Sequence, residues 1–546
     1  MKIALLQLNF LIGDLNHNSS LIIEGIKKAK AVGVKLAIFS ELALTGYPPL
    51  DLLDYKEFTD KCEENIKEIA SHCVGIAAIV GAPSYNKTGS GKELFNSAWF
   101  LNEGKVEFIA NKSLLPNYDV FDEYRYFEPS REVGFVDFNG KRLALTICED
   151  IWNLSEIPMY SHSPLEEVKK ENADLIINIS ASPFHDNQPK LRREVLRAVA
   201  LKCHKPIIYV NQIGVNTEII FDGNSMVCDA AGNIREQLPF FKEDIRVVEL
   251  DDILNDQNSN DKWNSPPKIK LIHDALVIGI KDYFQKMGLK KAVLGLSGGI
   301  DSAIVMVLAA KALKPENVTG LLLPSKFSSD HSINDAKELA LNLGCPFEII
   351  PITNVVESIN ETMIPLFKDL RSDVTEENIQ ARARAIILMA YSNKFGHILL
   401  NTSNKSEAAV GYGTLYGDMC GGLAVLGDVY KTDVYKLAEY INKEKEIIPI
   451  NTIAKPPSAE LRPGQKDSDS LPEYSLLDQV LYSYIEMKRS PSELILMGFE
   501  ENLVNNITQM VNRNEWKRFQ TPPILRVSSK AFGNGRRMPL VARFNY

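Results

Sequence analysis

The chain lacks any uninterrupted apolar window of the ~18 to 20 residues that a bilayer-spanning helix requires, so no membrane partner is expected. Its opening stretch, Met1-Lys-Ile-Ala-Leu-Leu-Gln-Leu-Asn-Phe10, is broken by Gln7 and Asn9 and has no cleavage site, and it reads as a first strand instead of a signal peptide. Cysteine is sparse: seven residues, at 62, 73, 148, 203, 228, 345 and 420, an odd number without the close spacing of a metal site or a disulfide framework. A reduced, cytoplasmic setting is the expectation that follows. There is also no basic excess, since the net charge is −9, which gives no hint of a nucleic-acid surface.

What is present is an ordinary globular composition, 45% hydrophobic and 24% charged. At 546 residues it is too long for a single core, so two large domains or several small ones are expected. Residues 2–8, 35–39 and 75–80 are extended in pattern and 18–31 and 55–71 helical, an alternation that predicts α/β architecture. The polar, Asn- and Asp-rich run at 251–268 ends in Pro266-Pro267 and has linker composition. The predicted organisation is therefore a first domain at 1–252, a linker at 253–268 and a second domain at 269–546. In the second domain, strands are predicted at 318–323, 347–352 and 397–400 and helices at 269–287, 333–343 and 377–395. These repeated βα units predict a doubly wound parallel sheet with a ligand crevice at the carboxyl ends of its strands.

In the first half three polar residues each close an apolar run: Glu41 after Lys-Leu-Ala-Ile-Phe-Ser, Lys112 after Val-Glu-Phe-Ile-Ala-Asn, and Cys148 after Arg-Leu-Ala-Leu-Thr-Ile. Singly, the cysteine reads as a small core residue and the two charges as solvated strand ends. Together, a thiol, a carboxylate and an ammonium are the parts for activating a nucleophile, moving its proton and stabilising an oxyanion. The segments around them, Ser40-Glu-Leu-Ala-Leu-Thr-Gly-Tyr-Pro-Pro49, Asn111-Lys-Ser-Leu-Leu-Pro-Asn-Tyr118 and Thr146-Ile-Cys-Glu-Asp-Ile-Trp152, resemble the three catalytic segments of the nitrilase (carbon–nitrogen hydrolase) superfamily. That resemblance covers about residues 1–250. It implies a four-layer α-β-β-α sandwich with Cys148 as nucleophile, Glu41 as general base and acid, and Lys112 at the oxyanion. A supporting second carboxylate would be Glu123, with Asp122 and Glu128 equally near in sequence. Asn178-Ile-Ser-Ala-Ser-Pro-Phe184 resembles the family's substrate-side loop, making Ser182, Tyr118 and Lys190 candidates for the amino-acid end of an amide substrate. Lys190 also reads as an exposed cation on a helix at 190–203. His185 and His204 have no ligand partners at useful spacing and are read as non-catalytic.

The second half centres on Leu294-Gly-Leu-Ser-Gly-Gly-Ile-Asp-Ser-Ala303, a strand, a glycine-rich turn, an acid and a helix start within ten residues. Backbone N–H groups of the turn and the positive end of the helix dipole suit a phosphate. No lysine follows the glycines, so this is not the common phosphate loop, and Asp301 in that place suggests a metal ion for charge compensation. Glu407 falls at the same sheet edge, where the two carboxylates could share Mg²⁺, although it also reads as a first-turn helix acid. Gly411-Tyr-Gly-Thr-Leu-Tyr-Gly-Asp418 is too glycine-rich for regular structure and offers two tyrosines able to stack on a flat ring, while Lys431 and Thr432 suit phosphate.

Ser297-Gly-Gly-Ile-Asp-Ser302 resembles the loop of ATP pyrophosphatases, of the adenine nucleotide alpha hydrolase-like fold. With Glu377-Asn-Ile-Gln-Ala-Arg-Ala-Arg384, Asn401-Thr-Ser-Asn-Lys-Ser-Glu407, Gly427-Asp-Val-Tyr-Lys-Thr432 and Ser528-Ser-Lys-Ala-Phe-Gly-Asn-Gly-Arg-Arg537, it is similar to the NAD⁺ synthetase family, and the nitrilase-like half points to the glutamine-dependent branch. The resemblance implies a ligase that adenylates deamido-NAD⁺ with ATP and amidates it with ammonia from glutamine. It implies ATP contacts at Gly295, Leu296, Ser297, Gly298, Gly299, Ile300, Asp301, Ser302 and Thr402, contacts to deamido-NAD⁺ or its metal at Asn378, Glu407 and Lys530, and Mg²⁺ on Asp301 and Glu407. It further implies a covered path for the ammonia and a homo-oligomer. Amidotransferases forming GMP or asparagine pair such a loop with other glutaminase types. A nucleotide-sensing scaffold with a dead hydrolase would lack one of Glu41, Lys112 and Cys148.

Overall fold

The computed structural model describes residues 1–255, 260–368 and 370–542. Two compact units are formed, Met1–Pro266 and Pro267–Tyr546.

In the first unit the apolar strands are buried on both faces, which is why they read as near-continuous hydrophobic runs. Along Lys2–Gln7, Ile3 and Leu5 point to one core and Ala4 and Leu6 to another, as the period of two requires. There are two six-stranded sheets. One places Lys2–Gln7 between Asp244–Glu249 and Leu36–Ile38, followed by Ala77–Tyr85, Leu94–Asn102 and Lys105–Asn111. The other runs Ile234–Gln237, Met226–Cys228, Ile207–Asn211, Leu175–Ser180, Lys141–Ile147 and Gly134–Phe138. Ile3, Leu5, Ile38 and Ile79 meet Leu143, Leu145, Ile177 and Ile208 in the core between the sheets. Helices Leu15–Ala31 and Lys56–Ser71 cover the outer face of the first sheet through Ile22, Ile26, Ile66 and Ile69. Helix Gln188–Cys203 covers the second through Val195, Leu196 and Val199. The result is the expected four-layer α-β-β-α sandwich.

The predicted linker differs in its ends. Leu250–Asn255 is a short helix whose Leu250 and Ile253 enter the inter-sheet core. Residues 256–259 of that stretch lie outside the described residues. Beyond them Asp261 pairs with Arg193 and accepts the Ile234 amide at 3.0 Å, while Trp263 packs beside the Val195 cluster. Two apolar side chains, Ile253 and Trp263, and one ion pair thus dock a segment whose average composition reads as free tether.

In the second unit five strands are parallel in the order Phe347–Ile349, Val318–Leu322, Lys291–Gly295, His397–Asn401, Leu423–Ala424. Chain direction across the sheet reverses at Lys291–Gly295, which places a topological switch point at the carboxyl end of that strand, where Ser297 to Ser302 lie. The predicted strand at 347–352 is shorter, and the helix predicted from 377 begins at Val374, capped by the Asp373 carboxylate on the Thr375 amide at 2.7 Å. A helical layer built on Tyr474–Ile485, Pro491–Leu496 and Glu501–Arg513 surrounds its own core of Leu477, Leu481, Leu494, Val504 and Ile507. Among the described residues no helix is long and apolar enough to cross a membrane.

One glycine couples the first fold to its candidate site. A Cβ on Gly81, in strand Ala77–Tyr85, would stand 2.3 Å from the Leu42 nitrogen and 2.4 Å from the Ser40 carbonyl oxygen, the backbone on either side of Glu41. Gly81→Ala is therefore expected to destabilise the first unit by roughly 1–3 kcal/mol through overpacking, read as a melting transition several degrees lower. An unchanged transition would show that the Glu41 turn yields without cost.

Candidate functional site

Three strand ends of the first unit converge. Glu41 follows Leu36–Ile38, Lys112 follows Lys105–Asn111, and Cys148 follows Lys141–Ile147; the three are 0%, 0% and 4% exposed. The Lys112 Nζ donates to Glu41 Oε1 at 2.7 Å and to both oxygens of Glu123 at 2.8 and 2.9 Å. Of the three carboxylates left open by the sequence, Glu123 is the one brought in. Glu128 accepts the Lys92 amide at 3.0 Å, and Asp122 occupies the N-cap position of the short helix Glu123–Arg125 without a side-chain cap bond.

The cluster has two further members that residue patterns gave no reason to select. The Asn96 Nδ2 donates to Glu41 Oε1 at 2.7 Å and to Glu123 Oε2 at 3.3 Å, and the Tyr47 hydroxyl donates to Glu123 at 2.8 Å. The Ala181 amide holds the other Glu41 oxygen at 2.9 Å. Burial pushes the Glu123 carboxyl up to about 7, with Lys112 opposing and the Glu41 charge adding. Burial works against the charged Lys112, but the charges of Glu123 and Glu41 outweigh it and raise its pKa well above the usual lysine value.

Cys148 begins the turn Cys148–Ile151 with φ +41°, a left-handed conformation that is strained for a residue with a Cβ. The turn is pinned by Asp150, whose carboxylate accepts the amides of Ser113, Leu114 and Ile147 at 2.8–2.9 Å and so ties the Cys148 turn to the Lys112 loop. Burial, then the Glu41 charge, raise the Cys148 thiol well above its ordinary value, with Lys112 pulling the other way. These surroundings favour the neutral thiol over the thiolate.

Beside the thiol, the buried Glu149 carboxylate accepts hydroxyl hydrogen bonds from Tyr118 and Tyr160, each at 3.0 Å. Ser182, after strand Leu175–Ser180, accepts from Gln188 Nε2 at 3.3 Å and Arg192 Nη2 at 3.4 Å. Arg192 is itself buried and forks onto Asp222 at 3.0 Å through both terminal nitrogens. Lys190 lies on the exposed face of helix Gln188–Cys203, in keeping with the exposed-cation reading left open for it, while Gln188 and Arg192, one turn apart, are the residues that reach Ser182. The apolar positions 195, 196, 199 and 200 show the same face, so helical periodicity carried this signal.

In the second unit a cavity of about 310 Å³ opens at the switch point. Gly295, Leu296, Ser297, Gly299, Ile300, Asp301, Ser302, Thr402 and Glu407 line it. Gly298 shapes the turn from behind, with φ +78° and a virtual Cβ 2.2 Å from the Ser332 carbonyl oxygen, so only glycine fits. Ser297 and Ser302 close the turn on itself: the Gly299 amide donates to Ser297 Oγ at 3.2 Å and Ser302 Oγ to the Gly299 carbonyl at 3.0 Å.

Glu407 takes the helix-acid position that was one of the two readings left open for it. With Asn404 it forms a capping box on helix Lys405–Val410, and it also stands 3.7 Å from the Lys431 ammonium, which hydrogen-bonds Asp301. Lys431, expected to face phosphate, is held between these two carboxylates, and Asn404 Nδ2 adds a bond to Asp301 at 3.0 Å. Burial, then the Asp301 charge, push Glu407 up to about 8, with Lys431 opposing. Among the described residues no group of three or more His, Cys, Asp or Glu side chains forms a metal cage. Two crowded carboxylates with an excess of negative charge fit a hard cation that takes its remaining oxygens from elsewhere.

Asn378 and Lys530 do not line this cavity. Asn378 accepts from Thr414 Oγ1 at 2.8 Å, and the Lys530 carbonyl accepts from the buried Lys405 at 2.9 Å. Thr432 is anchored through its amide to Asp478 at 2.8 Å. Of the two tyrosines, Tyr412 lines the cavity, whereas Tyr416 is 66% exposed with its hydroxyl on Gln520.

Residues 2–254 match the carbon-nitrogen hydrolase family model and residues 272–521 that of NAD synthase. The glutamine-dependent NAD(+) synthetase of Synechocystis is 43% identical over 552 residues, covering 100% of this chain and 99% of its own, and that of Thermotoga maritima is 41% identical with the same coverage. Among solved structures, the glutamine-dependent NAD⁺ synthetase from Acinetobacter baumannii in complex with ADP has a TM-score of 0.77 at 36% identity, covering 99% of this chain and 98% of its own. The one from Cytophaga hutchinsonii, at 21% identity, shares the fold with a TM-score of 0.83 and coverage of 99% and 98%. With two domain models in succession and relatives above 40% identity from end to end, the chain belongs to the glutamine-dependent NAD(+) synthetase family.

Proposed function

We propose that the chain converts deamido-NAD⁺ to NAD⁺ at the expense of ATP, with glutamine as nitrogen donor, and that the residues described above carry the two half-reactions. The observation that supports this most is the presence, in one chain, of a buried thiol beside an acid–lysine–acid cluster and of a cavity built on the Ser297–Ser302 turn.

In the first half-reaction Glu41 takes the Cys148 proton and the thiolate attacks the side-chain carboxamide carbon of glutamine. The developing oxyanion is met by Lys112. All three of its hydrogens are engaged at rest by Glu41 and Glu123, so at least one is given up. Asn96 and Tyr47 keep both glutamates hydrogen-bonded while that happens, which limits the cost of the shift. Glu41 then returns the proton to the departing nitrogen, ammonia leaves, and water activated by Glu41 hydrolyses the thioester to glutamate. The amino-acid end of glutamine is assigned to Tyr118, Ser182 and Gln188, with the Glu149 carboxylate for its ammonium.

In the second half-reaction the nicotinate carboxylate of deamido-NAD⁺ attacks the α-phosphate of ATP and pyrophosphate departs. Ammonia displaces AMP from the adenylate to give NAD⁺. The backbone of the Ser297–Ser302 turn and Thr402 hold the phosphates, while Asn378 and Lys530 are assigned to the dinucleotide. Asp301 and Glu407 would hold Mg²⁺, which neutralises phosphate charge when bound. This chain's own contribution is alignment and charge compensation.

AMP and pyrophosphate should appear only when deamido-NAD⁺ is supplied, and Cys148→Ala should abolish synthesis from glutamine while preserving synthesis from ammonium salts. Joint loss of both syntheses in a folded variant would make Cys148 structural, and release of AMP with a different acceptor would move the chain to another amidotransferase reaction. Gln188→Leu should raise the KM for glutamine by roughly two- to tenfold, the worth of one neutral hydrogen bond, with Lys190→Ala unchanged; the reverse pattern would return the role to Lys190. Glu407→Gln should raise the Mg²⁺ concentration needed for half-maximal synthesis from ammonium while leaving glutamine hydrolysis intact. An unshifted Mg²⁺ requirement would limit Glu407 to capping its helix.

A further inference from the structure

Lys405 opens the helix that carries Glu407, yet its side chain does not line the cavity and is wholly buried. Around its Nζ stand four oxygens: Ser528 Oγ at 2.7 Å, and Glu486 Oε1, Asp428 Oδ1 and the Lys530 carbonyl each at 2.9 Å. An ammonium has three hydrogens, so the pocket offers more acceptors than it can fill. Burial opposes the charge, but Asp428 and Glu486 outweigh it and raise the Lys405 pKa above the usual lysine value.

Much of the remaining capacity of the two carboxylates goes to one segment. Asp428 Oδ2 accepts the amides of Val527 and Ser528 at 2.8 and 2.7 Å, and its Oδ1 accepts the Ser528 hydroxyl at 2.7 Å. Glu486 Oε2 accepts the Ser529 hydroxyl at 2.6 Å. Residues 527–530 thus sit on an anionic pocket that Lys405 neutralises in part. The helix itself has other anchors: Asn404 donates to Asp301 at 3.0 Å, Ser406 to Asp478, and Arg518 to the Ala409 carbonyl at 2.6 Å. Loss of the Lys405 ammonium would therefore release the segment and leave the helix in place. A buried ion pair adds little net stability over apolar packing of the same volume, and its best attested use is to fix register.

We propose that Lys405 is a positioning residue for the amidation of deamido-NAD⁺. Its ammonium sets the register of residues 527–530 against the helix carrying Glu407, and so places Lys530 for the dinucleotide. The proposal rests on the assignment of Lys530 to that substrate.

The test is a mutant cycle in the full-length chain, read as KM values in ammonium-supported synthesis. Lys405→Met alone leaves two buried carboxylates without a counter-charge and endangers the fold. Paired with Glu486→Gln it leaves only the charge of Asp428, which keeps three hydrogen bonds from Val527 and Ser528. Lys530→Ala should raise the KM for deamido-NAD⁺ by roughly ten- to a hundredfold, the worth of one charge-assisted hydrogen bond. The Lys405→Met/Glu486→Gln variant should raise it by up to the same factor, with the KM for ATP near the parent value. Adding Lys530→Ala to that variant should raise it no further, because a misplaced Lys530 has nothing left to lose. Glu486→Gln alone, with three acceptors left to Lys405, should stay close to the parent. A lowered melting transition with a parent-like KM for deamido-NAD⁺ would make Lys405 structural and overturn the proposal. An equal rise in Glu486→Gln alone, or full additivity with Lys530→Ala, would overturn it too. A parent-like KM in Lys530→Ala itself would overturn the assignment of Lys530, and this proposal with it.

Discussion

The ammonium of Lys112, wholly withdrawn from water, is the constraint on which the first unit depends. Burying such an ion costs several kcal/mol even after relaxation, and only close opposite charge with good hydrogen-bond geometry offsets that cost. Two glutamates supply the charge, which creates a second difficulty, because two carboxylates and one ammonium leave an excess of negative charge in a dry place. A carboxyl pushed up to about 7 at Glu123 is the consequence, along with the hydrogen bonds from Tyr47 and Asn96. The cluster is therefore a proton-balanced unit in which Glu41 is held on both oxygens beside a thiol that is reluctant to ionise. The arrangement also explains the sandwich: only strands ending at one edge of two facing sheets could bring Glu41, Lys112 and Cys148 together with so little freedom.

The second unit contains a related device under different conditions. Lys431 lies between Asp301 and Glu407 much as Lys112 lies between Glu41 and Glu123, but these carboxylates line an open cavity. A closed triad is suited to permanent charge storage, whereas one facing a cavity can exchange partners with an incoming ligand. Phosphate oxygens and a hard cation would let Lys431 turn from carboxylate to phosphate with no net loss of pairing. In the structure Lys431 pairs with the carboxylates instead of facing phosphate, and the capping box fixes Glu407 beside it.

How far these features could be read from the chain followed from the range over which each is encoded. The α/β alternation, the four-layer first unit and the parallel second sheet are written in short apolar runs with local periodicity. Glu41, Lys112, Cys148 and the Ser297–Ser302 turn were legible because each sits at the end of such a run. Glu123 could be narrowed only to three neighbouring carboxylates, since its selection depends on reaching Lys112 from another segment. Asn96 and Tyr47 were invisible for the same reason: an asparagine within a strand and a tyrosine in a loop have no distinguishing neighbours. Lys190 shows a different limit: residue type left it open as a substrate contact or an exposed cation, and helical phase alone separates the two. Gln188 and Arg192 share the buried face that position 190 leaves.

The electrostatics of the thiol bear on why the acid must be so firmly placed. A cysteine near a lysine is ordinarily expected to be a ready thiolate. Here burial, joined by the charges of the nearby carboxylates, outweighs that help and favours the neutral thiol. Its strained backbone keeps it presented at the turn, with Asp150 tying that turn to the loop of Lys112. In the proposed mechanism the proton goes to Glu41, and that transfer would remove negative charge from the carboxylate as it creates it on sulfur. Total charge in the pocket is unchanged at that step. The large separation penalty that burial would otherwise impose is avoided, and the subsequent oxyanion is the first new charge that Lys112 has to meet. The proposed role of Glu41 as base requires that its carboxylate not rotate away. The Ala181 amide on one oxygen, with Asn96 and Lys112 on the other, meets that condition.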